Sequence, residues 1–227
     1  MKIAVIHHRL RTDAAADADV LVGAVGEACS EGAHAVVCPR LPTLAGLDPA
    51  DRDELLGRIE GCAGGAAVFI SFAEDAGEPL IVQTPLGATA LLGGDACLRE
   101  DVLRSLVAER IDTAIWRPGA ESELQAEAII EYALGCSPAL AGLLLVAECS
   151  DGEPHQGSSG TSAIIQAGEL LAESTASGDE ILFAEVEVPL GAPEPHMPLP
   201  ELPPILVQRL AVHEGRKPEV DYPADLS

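Results

Sequence analysis

Apolar and polar positions along this chain predict strand and helix by turns from the first residue. Lys2–His7 is a β-branched apolar run. Asp13–Ser30 then sets Val20, Leu21, Ala24, Val25 and Ala28 on one helical face, with Gly32 as its stop. His34–Cys38 reads as a second strand, closed by Pro39. Asp48-Pro49 starts a helix: Asp caps free N–H groups, and Pro at the first position has no N–H to leave unsatisfied. That helix points Leu55, Leu56 and Ile59 inward and ends near Gly61, and Ala66–Phe72 is a third strand. Pro79–Thr84 and Ala88–Leu92 form a hairpin around Pro85-Leu86-Gly87. Leu98–Glu109 is helical with Val102, Leu103, Leu106 and Val107 inside, Asp112–Trp116 a strand, Glu121–Gly135 a helix and Gly142–Ala147 a strand. Beyond a polar loop at Asp151–Gly160, the runs Thr161–Gln166, Leu170–Glu173 and Glu180–Val188 read as an antiparallel meander. From Pro189 onward Pro is dense, which predicts an extended arm rather than a packed element. With no strict repeat and no interdomain linker, the pattern predicts one α/β domain over residues 1–190 and a Pro-rich arm over 191–227.

Composition narrows the possible partners. The 227 residues are 48% hydrophobic but only 3% aromatic, so the core is built from Ala, Val, Leu and Ile. Asp and Glu number 37 against 13 Lys and Arg, a net charge of −24. A field of that sign repels phosphate backbones and anionic headgroups, which excludes nucleic acid and membrane surfaces as expected partners. No apolar run reaches the roughly 18 residues of a membrane span. The opening MKIAVIHHRL reads as a strand and not as a leader, and a cytoplasmic protein is expected. Cys29, Cys38, Cys62, Cys97, Cys136 and Cys149 form no CxxC pair and read as reduced, mostly core thiols. Only Lys2 and Lys217 represent lysine.

The order of segments resembles the nitrilase superfamily of carbon–nitrogen hydrolases. MKIAVIHHRL followed by a helix and EGAHAVVCPRL is similar to its first βαβ unit. TPLGATALLGGDACLREDVLRSLVAERIDTAIWRP is similar to its nucleophile segment, and GSSGTSAIIQAGELLAES with EILFAEVEV to its late Gly-Ser strand and closing hairpin. The resemblance implies a four-layer αββα sandwich, with a shortened middle between Phe72 and Thr84, and pairing into a homodimer. It also implies a Glu–Lys–Cys set in which Cys attacks an amide or nitrile carbon, Glu moves the proton and Lys stabilises the developing charge.

Residue by residue, that set is missing. The general-base position falls on Arg40, which does not release its proton at any working pH. The nucleophile position falls on Gly93, two before Asp95. Neither Lys2 nor Lys217 substitutes for the Lys, and Glu127 stands where the family has an Arg. The expectation is a pseudoenzyme that binds a small anion or serves as a partner subunit. Arg40 and Arg117, each ending a strand, are the expected anion-binding residues, with Asp95 either beside the ligand or capping the Leu98 helix or the turn at Gly93-Gly94.

Two other readings stand beside this one. Cys97, four residues past Gly93 at a strand-to-helix junction, is the candidate nucleophile of an amidase still at work. An unrelated doubly wound binder of a nucleotide or other small molecule opens with the same βαβ pattern. GCAGGA and GGD do not match a phosphate-cradle spacing, and SSGTS lacks a nucleophile elbow. His7, His8 and His34 read as hydrogen-bonded surface residues rather than metal ligands, and neither metal nor cofactor is expected.

Overall fold

The computed structural model describes residues 1–71, 78–150, 160–174, 178–187 and 197–216. The polar loop 151–159, the onset of the arm at Pro189 and Lys217 lie outside the described residues. In chain order the elements are β1 (Lys2–Arg9), α1 (Ala14–Ser30), β2 (Ala35–Val37), α2 (Pro42–Ala45), α3 (Pro49–Ala63), β3 (Ala67–Phe69), β4 (Leu80–Thr84) and β5 (Gly87–Gly93). A 3₁₀ turn (Gly94–Cys97) leads to α4 (Glu100–Glu109), β6 (Thr113–Arg117), α5 (Glu123–Leu140), β7 (Leu143–Val146), β8 (Cys149–Ser150), β9 (Ala163–Gln166), β10 (Glu169–Glu173), β11 (Glu180–Glu185) and α6 (Pro204–His213).

Helix starts follow the expected chemistry. The Asp13 side chain accepts from Ala15 N, Asp48 accepts from Asp51 N ahead of Pro49, and Ser122 accepts from Gln125 N at the start of α5. Helix α5 runs past its expected end at Gly135 and through Pro138. Cys136, Ala139 and Leu140 are fully buried, and that burial outweighs the helix-breaking residues.

The strands form two sheets. One has the order β11-β1-β2-β3, with β8 also pairing with β1; the other has the order β10-β9-β7-β6-β5-β4. Ile3, Val5, Ala35 and Val37 of the first sheet meet Ile115, Leu143, Leu145 and Ile164 of the second in a layer between them. Alternate residues of each strand face outward instead. Ala4, Ile6 and Val36 pack under α1 and α3 with Leu21, Val25, Leu55 and Ile59. Ala90, Ala114, Trp116 and Leu144 pack under α4 and α5 with Leu103, Leu106 and Ile129. Period-2 alternation with both faces covered makes four layers, helix–sheet–sheet–helix. The facing second sheet overturns the doubly wound alternative, which has a single sheet between its helices.

Two sequence expectations need correction. Glu180–Glu185 does not extend the meander: β9 and β10 pair in the second sheet, whereas β11 pairs antiparallel with β1 along the edge of the first. Its Ile181 and Phe183 pack, partly buried, toward α1 while Leu182 is buried facing the other sheet, so β11 places apolar side chains on both faces of the first sheet. The Pro-rich arm is likewise not all extended. Pro204–His213 is the helix α6, whose Leu206 is fully buried against the α4/α5 core.

Candidate functional site

The parallel strands β2, β5 and β6 deliver their C-terminal ends to one edge of the sandwich, the edge at which open α/β sheets bind ligands. A cavity of about 400 Å³ opens there, lined by Arg40, Gly93, Asp95, Arg99, Gly119 and Arg209, with His213 at its rim. Arg40 follows β2 and Gly93 ends β5. Gly94 turns the chain away at φ 52° and Gly119 turns it after β6 at φ 68°, conformations that favour glycine.

Helix α6 closes one side. Arg209 Nε donates to Asp95 Oδ1 at 3.1 Å, and its two terminal nitrogens donate to Gly119 O at 2.9 Å and Pro118 O at 2.6 Å. His213 Nδ1 lies 2.7 Å from Asp95 Oδ2 and Nε2 lies 3.0 Å from Glu121 Oε1. The hydrogen bond to Asp95, with smaller help from Glu121, raises the His213 pKa above its ordinary 6.5. Beneath the loop, the buried Glu148 carboxylate accepts from Gly119 N at 2.6 Å and Ala120 N at 3.1 Å. Glu148 thus holds the backbone whose carbonyls hold Arg209.

The structure redistributes the residues singled out from sequence. Arg40, Gly93 and Asp95 share the cavity. Arg117 does not line it with them. Its guanidinium is buried and donates to Cys38 O at 2.9 Å and Phe69 O at 3.1 Å, tying β6 of the second sheet to the ends of β2 and β3 in the first. Asp95 caps nothing with its side chain. Leu98 N bonds the Asp95 carbonyl, and the carboxylate faces α6. Cys97 ends the 3₁₀ turn, is 0% exposed and belongs to the α4/α5 core rather than to the cavity lining.

Arg99, Arg209, His213 and Glu148 were not anticipated. A signal for α6 was present: Pro204 in a first turn, Ile205, Leu206 and Leu210 at helical spacing, and Gly215 as a stop. His7 and His8 are fully buried, contrary to a surface placement. His7 Nδ1 lies 3.1 Å from Ser162 Oγ, and burial lowers its pKa. His8 Nε2 lies 2.7 Å from the buried Asp17, which also accepts from Thr43 Oγ1 at 2.6 Å. His34 is exposed. Among the described residues, no group of three or more His, Cys, Asp or Glu is placed to hold a metal ion, and no helix is long and apolar enough to cross a membrane.

No family model matches the chain. No curated protein matches it either. Solved structures do. An amidase from Nesterenkonia sp. AN1, in a form showing Michael addition of acrylamide at its active-site cysteine, aligns with a TM-score of 0.66 at 16% identity, over 82% of this chain and 93% of that one. A second form, described as an amidase from the nitrilase superfamily, aligns at 0.67 and 16% over 82% and 92%. A third aligns at 0.67 and 16% over 83% and 93%. At that identity the likeness speaks for the fold, and the layer order and sheet topology agree with it: this chain has the fold of the nitrilase-superfamily amidases.

Proposed function

We propose that this chain is a nitrilase-superfamily protein that has lost the family's hydrolytic set and binds a small carboxylate or phosphate in the cavity at the strand ends. One observation carries the reading. The two positions that the resemblance assigns to base and nucleophile, Arg40 and Gly93, line the same cavity, and neither can do that chemistry. Gly93 has no side chain with which to attack a carbonyl, and Arg40 is a permanent cation. What the lining offers instead is guanidinium, from Arg40 and, with its Nε and one terminal nitrogen already held by Asp101, from Arg99, in a protein of net charge −24. A planar guanidinium recognises carboxylate and phosphate by paired N–H donors. The acidic surface repels anions, so affinity must come from this local cluster and is sensitive to its loss. The buried position of Cys97 in the α4/α5 core counts against the hydrolase alternative.

The test is thermal unfolding of the purified chain with a panel of small carboxylates and phosphates, in parallel with an ammonia-release assay on small amides. The expected result is stabilisation by a subset of the anions, abolished in Arg40→Ala, with no ammonia released. Amide turnover that disappears in Cys97→Ala would overturn the reading in favour of an active hydrolase. Indifference to every anion would overturn the ligand class.

A further inference from the structure

One side of the cavity is formed by a helix whose last residue is held between two carboxylates on two other elements. His213 ends α6, Asp95 follows β5, and Glu121 stands just before α5. Both imidazole nitrogens of His213 are at hydrogen-bond distance from a carboxylate oxygen, 2.7 Å to Asp95 and 3.0 Å to Glu121. A carboxylate only accepts, and a neutral imidazole has a single N–H, so both contacts are satisfied only by the imidazolium. We propose that charged His213 latches the C-terminal turn of α6 at the side of the cavity, and that its deprotonation loosens this turn and widens the mouth. This rests on the anion-site reading only for what passes through the mouth.

The surroundings fit a device with one fixed and one titrating half. On α6 itself, Arg209 holds Asp95 Oδ1 and the carbonyls of Pro118 and Gly119 and stays charged throughout. Glu214, the next residue, pairs with Arg216. From the β5 side His213 faces Asp95, and from the start of α5 it faces Glu121. Arg40 and Arg99 share the cavity and oppose a further positive charge, but Arg99 is itself paired with Asp101. Two carboxylates in direct contact outweigh these more distant cations, and the end of a helix adds its own preference for a cation. The His213 side chain is 38% exposed, so solvent protons reach it without any opening. Its raised pKa fixes the sign. The latch is fully formed below the ordinary imidazole value and is lost as pH rises through the higher value of the folded protein. Arg209 then keeps the rest of α6 docked, so the change is a fraying of the last turn and not release of the helix.

Amide hydrogen exchange on the full chain without ligand, corrected for the intrinsic pH dependence of exchange, reads the latch directly. Between about pH 6 and pH 9, opening of the 210–215 segment should rise about threefold to fivefold, as for loss of one partly exposed ion pair. His213→Gln, which retains an N–H donor but does not titrate, should abolish the step. Glu121→Gln should move the step to lower pH. No step in the wild type, or an equal step in His213→Gln, overturns the latch. Sodium sulfate, whose charge is constant over this range, separates the two ideas. Sulfate protection of the cavity segments with pH-independent exchange of α6 sinks the latch and leaves the anion site. A His213-dependent step with no effect of sulfate, or of the carboxylates and phosphates of the panel, leaves the latch and sinks the anion site.

Discussion

Cys38, Cys97 and Cys136 are fully buried. Burial pushes the Cys38 thiol up to about 12, with only partial relief from Arg117. It pushes Cys136 up to about 12 as well, against a hydrogen bond with Tyr132. At pH 8 such thiols hold about one thiolate in ten thousand, and the thiolate is the reacting species. Cys29, Cys62 and Cys149 are only half-buried. A brief exposure of the native protein to iodoacetamide near pH 8 should therefore label these three well before Cys38, Cys97 and Cys136, which should react only on unfolding. Peptide mapping by mass spectrometry reads the order. Prompt, selective labelling of Cys97 would show a reactive, accessible thiol and restore the hydrolase alternative. Arg117 carries the complementary lesson. Its place at the end of a strand was legible in the chain, but its partners were not. They include two backbone carbonyls, Cys38 O and Phe69 O, brought to it from remote segments by the facing sheet. A sequence shows that a guanidinium is present, whereas only the fold shows whether it meets a ligand or a carbonyl.

Among the elements, α6 supplies one wall of the site. Leu206 is fully buried on the α4/α5 core and Arg209 is anchored in the cavity wall, so the helix is docked rather than trailing. Leu206→Ala removes the buried branched methyls and should cost about 2–3 kcal/mol of docking free energy. If α6 detaches as a unit, the loss is capped at the free energy of docking. It then appears as faster exchange of α6 amides with little change in the urea midpoint of the remaining protein. If α6 is integral to the cooperative unit, the urea midpoint falls instead. An arm that contributed nothing would leave both measurements unchanged. The βαβ opening, the hairpin at β4–β5 and the cap at Asp48 were readable because local chemistry decides them. Density of Pro hid α6, although Pro204 sits where a helix tolerates it. The β11 pairing was hidden for another reason. A strand that follows a hairpin closely in sequence is expected to extend it, and only the long-range register of Lys2–His7 against Glu180–Glu185 takes it to the other sheet. The half of the site made by Arg40, Gly93 and Asp95 follows from segment order alone, but the half made by α6 needs that packing.

For the whole molecule the dominant electrostatic fact is a net charge of −24. Folding brings those carboxylates closer together than in the open chain, so repulsion opposes the compact state. Among the described residues the attractive pairs are few beside that excess and several are exposed, as with Arg104–Glu100 and Arg58–Asp19. Exposed pairs contribute about 0–1 kcal/mol each and weaken in salt. Screening acts on both signs of interaction, so the sign of the salt effect shows which set is larger. The Debye length falls from about 30 Å at 0.01 M to about 3 Å at 1 M, from a span comparable to the molecule to less than one side chain. Sodium chloride should therefore raise the global unfolding temperature, by about 2–4 °C for each kcal/mol of repulsion relieved in a chain of this size. The α6 latch should respond in the opposite direction, because it is an attraction between partly exposed charges at His213, Asp95 and Glu121. Calorimetry and α6 amide exchange along one salt series would then diverge, the molecule gaining stability while the last turn of α6 loosens. A fall in the unfolding temperature with added salt would mean that specific ion pairs outweigh the acidic excess, and that the negative surface costs the fold little.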